Sequence, residues 1–148
     1  MLIKYNIQKE FTTPEIHICT DKLDSRAQEI FDTVKDVFEK TVNGYREGYD
    51  EASVIRISDI VRVYAASKHV YVSTESEKYV IRERLYEMEK ELENLGFVRI
   101  SNSEIVNVKA IKHLDASVTG TIKMTLRGQI ETYVSRRYVP KIKQSLGL

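Results

Sequence analysis

Short segments of alternating apolar and polar residues fill most of the chain from residue 53 onward. This period-two pattern is typical of half-buried β-strands, and the Gly and polar clusters between the segments supply turns. The pattern therefore predicts a fold dominated by several short strands. The strand candidates lie at 53–64, 70–74, 78–81, 97–100, 106–116, 120–126 and 129–135.

One stretch among these strands has helical periodicity instead. Residues 82–95 carry apolar side chains three or four positions apart, and Gly96 is a typical C-terminal stop. The remaining face of this helix is rich in Glu, which is typical of a solvated surface. The apolar stripe consists of Leu85, Met88, Leu92 and Leu95.

The first 40 residues have a different organisation, with two alternating segments followed by a helical pattern. The alternating segments at 2–7 and 15–20 predict two strands. Asp24 and Ser25 are suitable helix caps, and the sequence Asn43-Gly44 predicts the end of the helix or a turn. Residues 1–40 are thus predicted to form a small β-β-α cap.

The overall prediction is an α+β chain that is mainly β, with one inserted helix and the short N-terminal cap. We expect residues 1–40 to be the cap and residues 41–148 to be the main domain. A contribution of the cap to a dimer contact is a hypothesis that rests on its small apolar face, which needs a surface to pack on.

Composition narrows the classes of protein to consider. No apolar run approaches the roughly 20 residues of a membrane span, so we expect no membrane insertion. A lone cysteine, Cys19, excludes an internal disulfide and an all-Cys metal site. The N-terminus lacks the pattern of a signal peptide. These features predict a cytoplasmic protein.

Signatures of catalysis are absent from the sequence. It has no glycine-rich phosphate loop and no GxSxG, and its three His, at 17, 69 and 113, lie in separate segments. His17 and Cys19 would share one strand face, but no orienting acid or oxyanion loop accompanies them. We therefore expect no enzyme activity, no metal and no cofactor.

Charge is distributed unevenly along the chain. The net charge is +1, yet residues 97–148 hold nine Lys and Arg against three Asp and Glu. A basic third joined to an acidic remainder indicates that one end of the protein meets an anion. An ordinary solvated face is the alternative explanation for such an asymmetry.

Polar residues interrupt the strand pattern at three places, each at the end of an apolar segment: 67–69, 101–103 and 135–137. These segments offer Lys, His, Asn and Arg, which are the side chains that bond base edges and phosphates. Each has a structural alternative. The first could be a solvated hairpin loop, Asn102 could bridge its own turn, and Arg136 and Arg137 could be surface residues.

Two of these blocks resemble the LytTR DNA-binding domain family. The first comprises Phe97, Arg99, Ser101, Ser103, Val106 and Asn107, and the second Ser135, Arg136 and Arg137. The resemblance covers about residues 53–148. It implies a bacterial transcription regulator with an elongated arrangement of small β-sheets, whose loops insert into successive major grooves. It also implies two copies on repeated half-sites, and hence a homodimer at least on DNA.

The resemblance also implies roles for individual residues. Base contacts would come from Lys68 or His69, from Asn102 and from Arg137. Ser103, Arg99 and Arg136 would contact the DNA backbone or support the readers. The family often has a basic or aromatic residue where Glu104 stands here, so we expect Glu104 to face away from DNA.

A second class of function stays open at this stage. The acidic helix 82–95 and the cap could bind a regulatory protein partner, with the basic face only solvated. Such a protein-interaction module would not read DNA sequence. The two hypotheses differ in salt dependence, because only a DNA reader should bind DNA with an affinity that falls steeply with salt.

Overall fold

The computed structural model describes residues 16–22, 24–117 and 120–148. The chain divides into two compact units, Met1–Glu39 and Lys40–Leu148. In the first unit the predicted helix is confirmed as α1, which spans Ser25–Phe38. The Asp24 carboxylate caps it by accepting a hydrogen bond from the Ala27 N–H at 2.9 Å.

The second strand of the predicted cap is wrong at its described positions, because residues 16–20 form no strand. Ile16 and Ile18 are both exposed. An alternating pattern becomes a strand only when neighbouring backbone and side chains pack against it, and residues 16–20 are all exposed. The strand predicted over 2–7 lies outside the described residues.

Two antiparallel sheets make up most of the second unit, which confirms the mainly β prediction. In the described residues the first sheet has seven strands in the order β2-β1-β5-β4-β3-β7-β6, and the second has three in the order β10-β9-β8. The strands are β1 (Thr41–Tyr45), β2 (Ala52–Arg56), β3 (Arg62–Ala66), β4 (His69–Ser73), β5 (Lys78–Ile81), β6 (Phe97–Ser101), β7 (Glu104–Asn107), β8 (Ile111–Asp115), β9 (Ile122–Leu126) and β10 (Ile130–Val134).

The inserted helix, α2, covers one face of the first sheet. It spans Leu85–Glu91, which is shorter than the predicted 82–95. Its buried residues and those of the sheet form one hydrophobic cluster, which includes Val63, Val72, Ile81, Leu85, Met88 and Leu92. Burying such a side chain stabilises the fold by roughly 1.5–3 kcal/mol, so the apolar stripe explains why the helix docks here.

A second cluster lies between the short sheet, strands β6 and β7, and the C-terminal helix α3, which spans Val139–Leu146. Its fully buried members include Ile100, Met124, Leu126 and Ile142. Pro140 sits in the first turn of α3, where its missing N–H leaves no helical hydrogen bond unmade. The two clusters hold the β6–β7 hairpin from both faces.

The sequence Asn43-Gly44 does not end a helix or form a turn, so that prediction is wrong. Both residues lie inside β1, where Gly44 pairs with Ser53 of β2. A Cβ at Gly44 would lie 2.7 Å from Ile55 Cδ1 and 2.8 Å from Tyr79 Cβ. Glycine is present because neighbouring side chains fill the space above the strand, not because the backbone reverses.

The long strand predicted over 106–116 is divided at Asn107. Its Nδ2 donates to the Ile60 carbonyl at 2.9 Å, and its Oδ1 accepts from the Lys109 N–H at 3.0 Å. These bonds begin a short 3-10 turn over Val108–Ala110, after which β8 enters the second sheet. The buried Asn107 amide thus stabilises the turn at which the chain passes from the first sheet to the second.

Candidate nucleic-acid interface

The three polar segments singled out in the sequence lie side by side in the folded unit. The Ala65 N–H, in the strand that leads to the first segment, donates to the Ser103 carbonyl of the second at 2.8 Å. The hydroxyl of Tyr138, the residue after the third segment, donates to Asn102 Oδ1 at 2.9 Å. We call residues 67–69, 101–103 and 135–137 the polar row.

The first segment of the row is the tip of the β3–β4 hairpin. Ser67 and Lys68 both have positive φ, at 49° and 66°, as the central residues of a two-residue type I′ turn do. Because Ala66 pairs directly with His69, this turn is as tight as a hairpin allows. Lys68 and His69 are both exposed, so their side chains are available to a ligand.

The second segment is the turn between β6 and β7. The strand register shifts between Arg99 and Ser101, as it does at a β-bulge. Ser101 Oγ accepts from the Ser103 N–H at 3.2 Å, which closes the turn locally. Asn102 stands exposed at its tip. The polar break in the sequence is therefore a hydrogen-bonded turn at the end of the β6–β7 hairpin.

Arg99 supports this turn from within the protein. Its Nε donates to the Ser101 carbonyl at 3.0 Å and its Nη2 to the Asn102 carbonyl at 2.6 Å. Its Nη1 pairs with the Glu89 carboxylate of α2. The side chain is only 19% exposed, and each of its three nitrogens donates either to the turn or to Glu89.

The third segment follows β10 as a 3-10 turn over Arg136–Tyr138 that leads into α3. The Ser135 N–H donates to the Ile100 carbonyl at 2.9 Å, so the segment is attached to β6. Arg136 lies over Gly120, where a Cβ would come within 2.5 Å of its Nε. Arg136 and Arg137 are both exposed.

Glu104 faces inward, as expected from its place beside a surface of basic residues. Its Oε1 accepts from Arg62 Nη1 at 2.9 Å, and its Oε2 accepts from Thr132 Oγ1 at 2.6 Å. Glu104 belongs to the first sheet and Thr132 to the second, so the carboxylate ties the sheets together. Its charge is compensated internally and does not act at the row.

Sequence reasoning missed three residues near the row. No pattern in the sequence points to Tyr138, because its contact with Asn102 joins residues 36 positions apart. Arg82 and Arg84 were assigned to the start of the helix, but they precede α2 and line an open groove of about 960 Å³ together with Lys68 and Asn102. The cluster Arg-Glu-Arg at 82–84 was the available signal for a basic loop.

Within the described ranges, no group of His, Cys, Asp and Glu is arranged to hold a metal ion. Among those same residues, no helix is both long enough and apolar enough to cross a membrane.

The row thus consists of exposed basic and amide side chains on turns of a β scaffold. Such an arrangement is typical of a nucleic-acid-binding domain. The model of the LytTr DNA-binding domain family matches residues 50–147. The chain belongs to the LytTr DNA-binding domain family, which confirms the resemblance. This is a family of DNA-binding domains and not of enzymes.

Curated relatives extend the similarity to the whole chain. An uncharacterized HTH-type transcriptional regulator of Staphylococcus aureus strain bovine RF122 / ET3-1 is 36% identical, and the alignment covers 100% of this chain and 99% of the relative. The similarly named protein of strain MSSA476 is 35% identical with the same coverage. The comparisons give no support to the protein-interaction module that the sequence left open.

A solved structure supports the fold. The LytTr DNA-binding domain of a Bacillus cereus protein superimposes with a TM-score of 0.69 at 24% identity. The match covers 74% of this chain and 99% of that domain. The arrangement of two small sheets with α2 and α3 is therefore a LytTr fold.

Proposed function

We propose that the chain is a sequence-specific transcription regulator that binds double-stranded DNA through the polar row. The observation that carries the proposal is the adjacency of three sequence-distant segments whose tips expose Lys, His, Asn and Arg. Family membership and the regulator names of the S. aureus relatives support it. Basic side chains around the row supply attraction to phosphates that does not depend on sequence.

Individual residues of the row have different roles in this proposal. Arg137 bonds a base in a bidentate fork, Asn102 bonds a second base, and Lys68 or His69 reaches a third. Ser103 and Arg136 contact the DNA backbone. Arg99 acts as a support, because each of its three nitrogens already donates to Glu89 or to the turn.

We further propose that two copies bind repeated half-sites, with the row of each copy entering major grooves. A second copy on the same duplex raises the effective concentration of the first, so weak half-sites become a strong site. The N-terminal unit is our candidate for a dimer contact. A protein of this kind acts in the cytoplasm.

The test is selection of duplexes from a random double-stranded library by the full chain, followed by titration of the enriched duplex. We expect one enriched sequence, tight binding of it by the wild type, and a loss of binding in Asn102→Ala. Titrations at two salt concentrations should show an affinity that falls steeply with salt.

A matched substitution outside the row controls for general effects of mutation. Ser53→Ala removes a half-buried hydroxyl from β2, away from the row, and should bind as the wild type does. Failure to enrich any sequence, or weak binding that Asn102→Ala leaves unchanged, would refute the proposal.

A further inference from the structure

The Asn102 side chain is held in one orientation by a partner from another segment. The Tyr138 hydroxyl donates to Asn102 Oδ1 at 2.9 Å, while Arg99 Nη2 holds the Asn102 backbone carbonyl at 2.6 Å. In the described part of the chain, the Asn102 Nδ2 amino group makes no hydrogen bond, and the residue as a whole is exposed.

This orientation matters because an asparagine amide has two chemically opposite ends. A free amide can bond adenine in a bidentate manner, with Oδ1 accepting from N6 and Nδ2 donating to N7. Adenine must then approach both ends of the amide at once. Here the Tyr138 hydroxyl uses one of the two lone pairs of Oδ1 and stands beside that end of the amide, whereas both N–H groups of the amino end are unused.

We propose that Tyr138 fixes the Asn102 amide so that Asn102 meets DNA as a hydrogen-bond donor. Tyr138 is then a specificity-determining positioning residue, and the base edge that Asn102 selects is one that presents an acceptor. Guanine O6 and N7, adenine N7 and thymine O4 offer such an acceptor in the major groove, where the proposed function places the row. This inference rests on the proposed function, since it assumes that Asn102 reads a base.

The partly buried position of Tyr138 makes a clean substitution available. Its ring packs against the cluster of α3 and the second sheet, so Tyr138→Phe keeps the packing and removes only the hydroxyl. Tyr49 is 68% exposed and lies between β1 and β2, outside the row, so Tyr49→Phe is the matched control.

The experiment measures full chains against the duplex selected by the wild type, with each base pair substituted singly. Asn102→Ala should lose discrimination between base pairs at one position of the duplex. At that position the wild type should prefer a base whose edge presents a hydrogen-bond acceptor. Tyr138→Phe should reduce discrimination at the same position by roughly three- to tenfold, the worth of one hydrogen bond. Its preferences elsewhere and its salt dependence should match those of the wild type and Tyr49→Phe.

A second variant tests the donor assignment directly. In Asn102→Asp one oxygen accepts from Tyr138 and the other faces DNA as an acceptor. We expect weaker binding overall and a reversed order of preference, favouring pairs that present an amino group at that position. An inosine·cytosine pair there tests the groove, because it resembles G·C in the major groove and A·T in the minor groove. Behaviour like G·C supports the major-groove contact of the proposed function, and behaviour like A·T would overturn it.

The outcomes separate this inference from the proposed function. If Asn102→Ala flattens one position while Tyr138→Phe keeps the wild-type profile, the role of Tyr138 is refuted and DNA reading by Asn102 stands. An unchanged order of preference in Asn102→Asp would also overturn the donor assignment. If Asn102→Ala changes no preference, Asn102 is not a reader and both ideas fail at this residue.

Discussion

At the scale of single residues, Arg99 and Arg137 show how context decides what an arginine does. Both belong to the sequence blocks that led to the family. Arg99 is 19% exposed and bonds Glu89 and two backbone carbonyls. Arg137 is exposed, and its guanidinium carbon lies 6.0 Å from the centre of the Tyr138 ring. The first arginine maintains the site, while the second is available to a ligand.

Arg137→Ala should therefore weaken binding of the selected duplex by about 1–3 kcal/mol, the worth of a bidentate base contact. Arg137→Lys should recover the attraction to phosphate but not the base preference, because an ammonium lacks the planar fork. Titration of both variants against the selected duplex and a scrambled duplex measures this. Equal binding by wild type and Arg137→Ala would remove Arg137 from the site.

At the scale of elements, sequence patterns predicted strands well where a segment was short and rich in apolar residues. Segments 78–81, 120–126 and 129–135 gave β5, β9 and β10, and within the second of them apolar and polar positions alternate strictly from Ile122 to Leu126. The segment 106–116 failed as one strand. Alternation cannot show that the Asn107 side chain bonds the Ile60 carbonyl, 47 positions away, and so divides the strand.

The candidate site was predicted in the same partial way. Polar breaks in apolar segments, with the resemblance, singled out the three segments of the row. The residues that hold the row in place, Tyr138 and Glu89, were not found. Their roles arise from contacts with Asn102 and Arg99 that exist only after folding brings α2, β6 and the last turn together.

Gly44 is a further residue whose role depends on contacts that exist only after folding, and its packing can be tested. A methyl group there would meet Ile55 and Tyr79 at under 3 Å, so Gly44→Ala should destabilise the chain by about 1–3 kcal/mol. Ser53→Ala, at the paired position of β2, should change the free energy of unfolding by less than about 0.5 kcal/mol. Urea unfolding of both variants checks this, and an equally stable Gly44→Ala would contradict the packing argument.

Helix α2 contributes to the site through Glu89, which pairs with Arg99 and lies 3.7 Å from Lys141 Nζ of α3. Near DNA, removing a negative charge should strengthen binding if only net charge matters. We expect the opposite for Glu89→Gln, a loss of roughly threefold or more in specific binding, because Arg99 loses its charged partner.

The control for Glu89→Gln is Glu91→Gln, which makes the same change of charge at an exposed position of the same helix. Competition titrations with selected and scrambled duplexes distinguish the two variants. Tighter specific binding by Glu89→Gln, equal to that of Glu91→Gln, would mean that Glu89 acts only through its charge.

At the scale of the whole molecule, a nearly neutral chain presents a basic surface by segregating its charges. The net charge is +1, while residues 97–148 hold nine cationic against three acidic side chains. One of those acids, Glu104, is buried and paired. The last third of the chain therefore carries a larger positive charge than the composition of the whole chain indicates.

Arg84, which lines the groove beside the row, extends this surface beyond the basic third. Arg84→Ala should lower the slope of log affinity against log salt by about one unit without altering base preference. Arg56→Ala, on the edge strand β2 and paired with Asp59, should leave the slope unchanged. Titration over a series of salt concentrations decides, and an unaltered slope for Arg84→Ala would place it outside the DNA contact.

The β3–β4 turn has a consequence for how this protein can evolve. Ser67 and Lys68 occupy left-handed backbone conformations that cost most residues about 1 kcal/mol each and cost glycine almost nothing. A lineage selected only for resistance to heat should replace Lys68 with glycine early. A lineage selected for regulation should keep a long cationic side chain at that strained position. Natural sequences that retain Lys68 would thus indicate that selection for recognition was stronger than selection for thermostability.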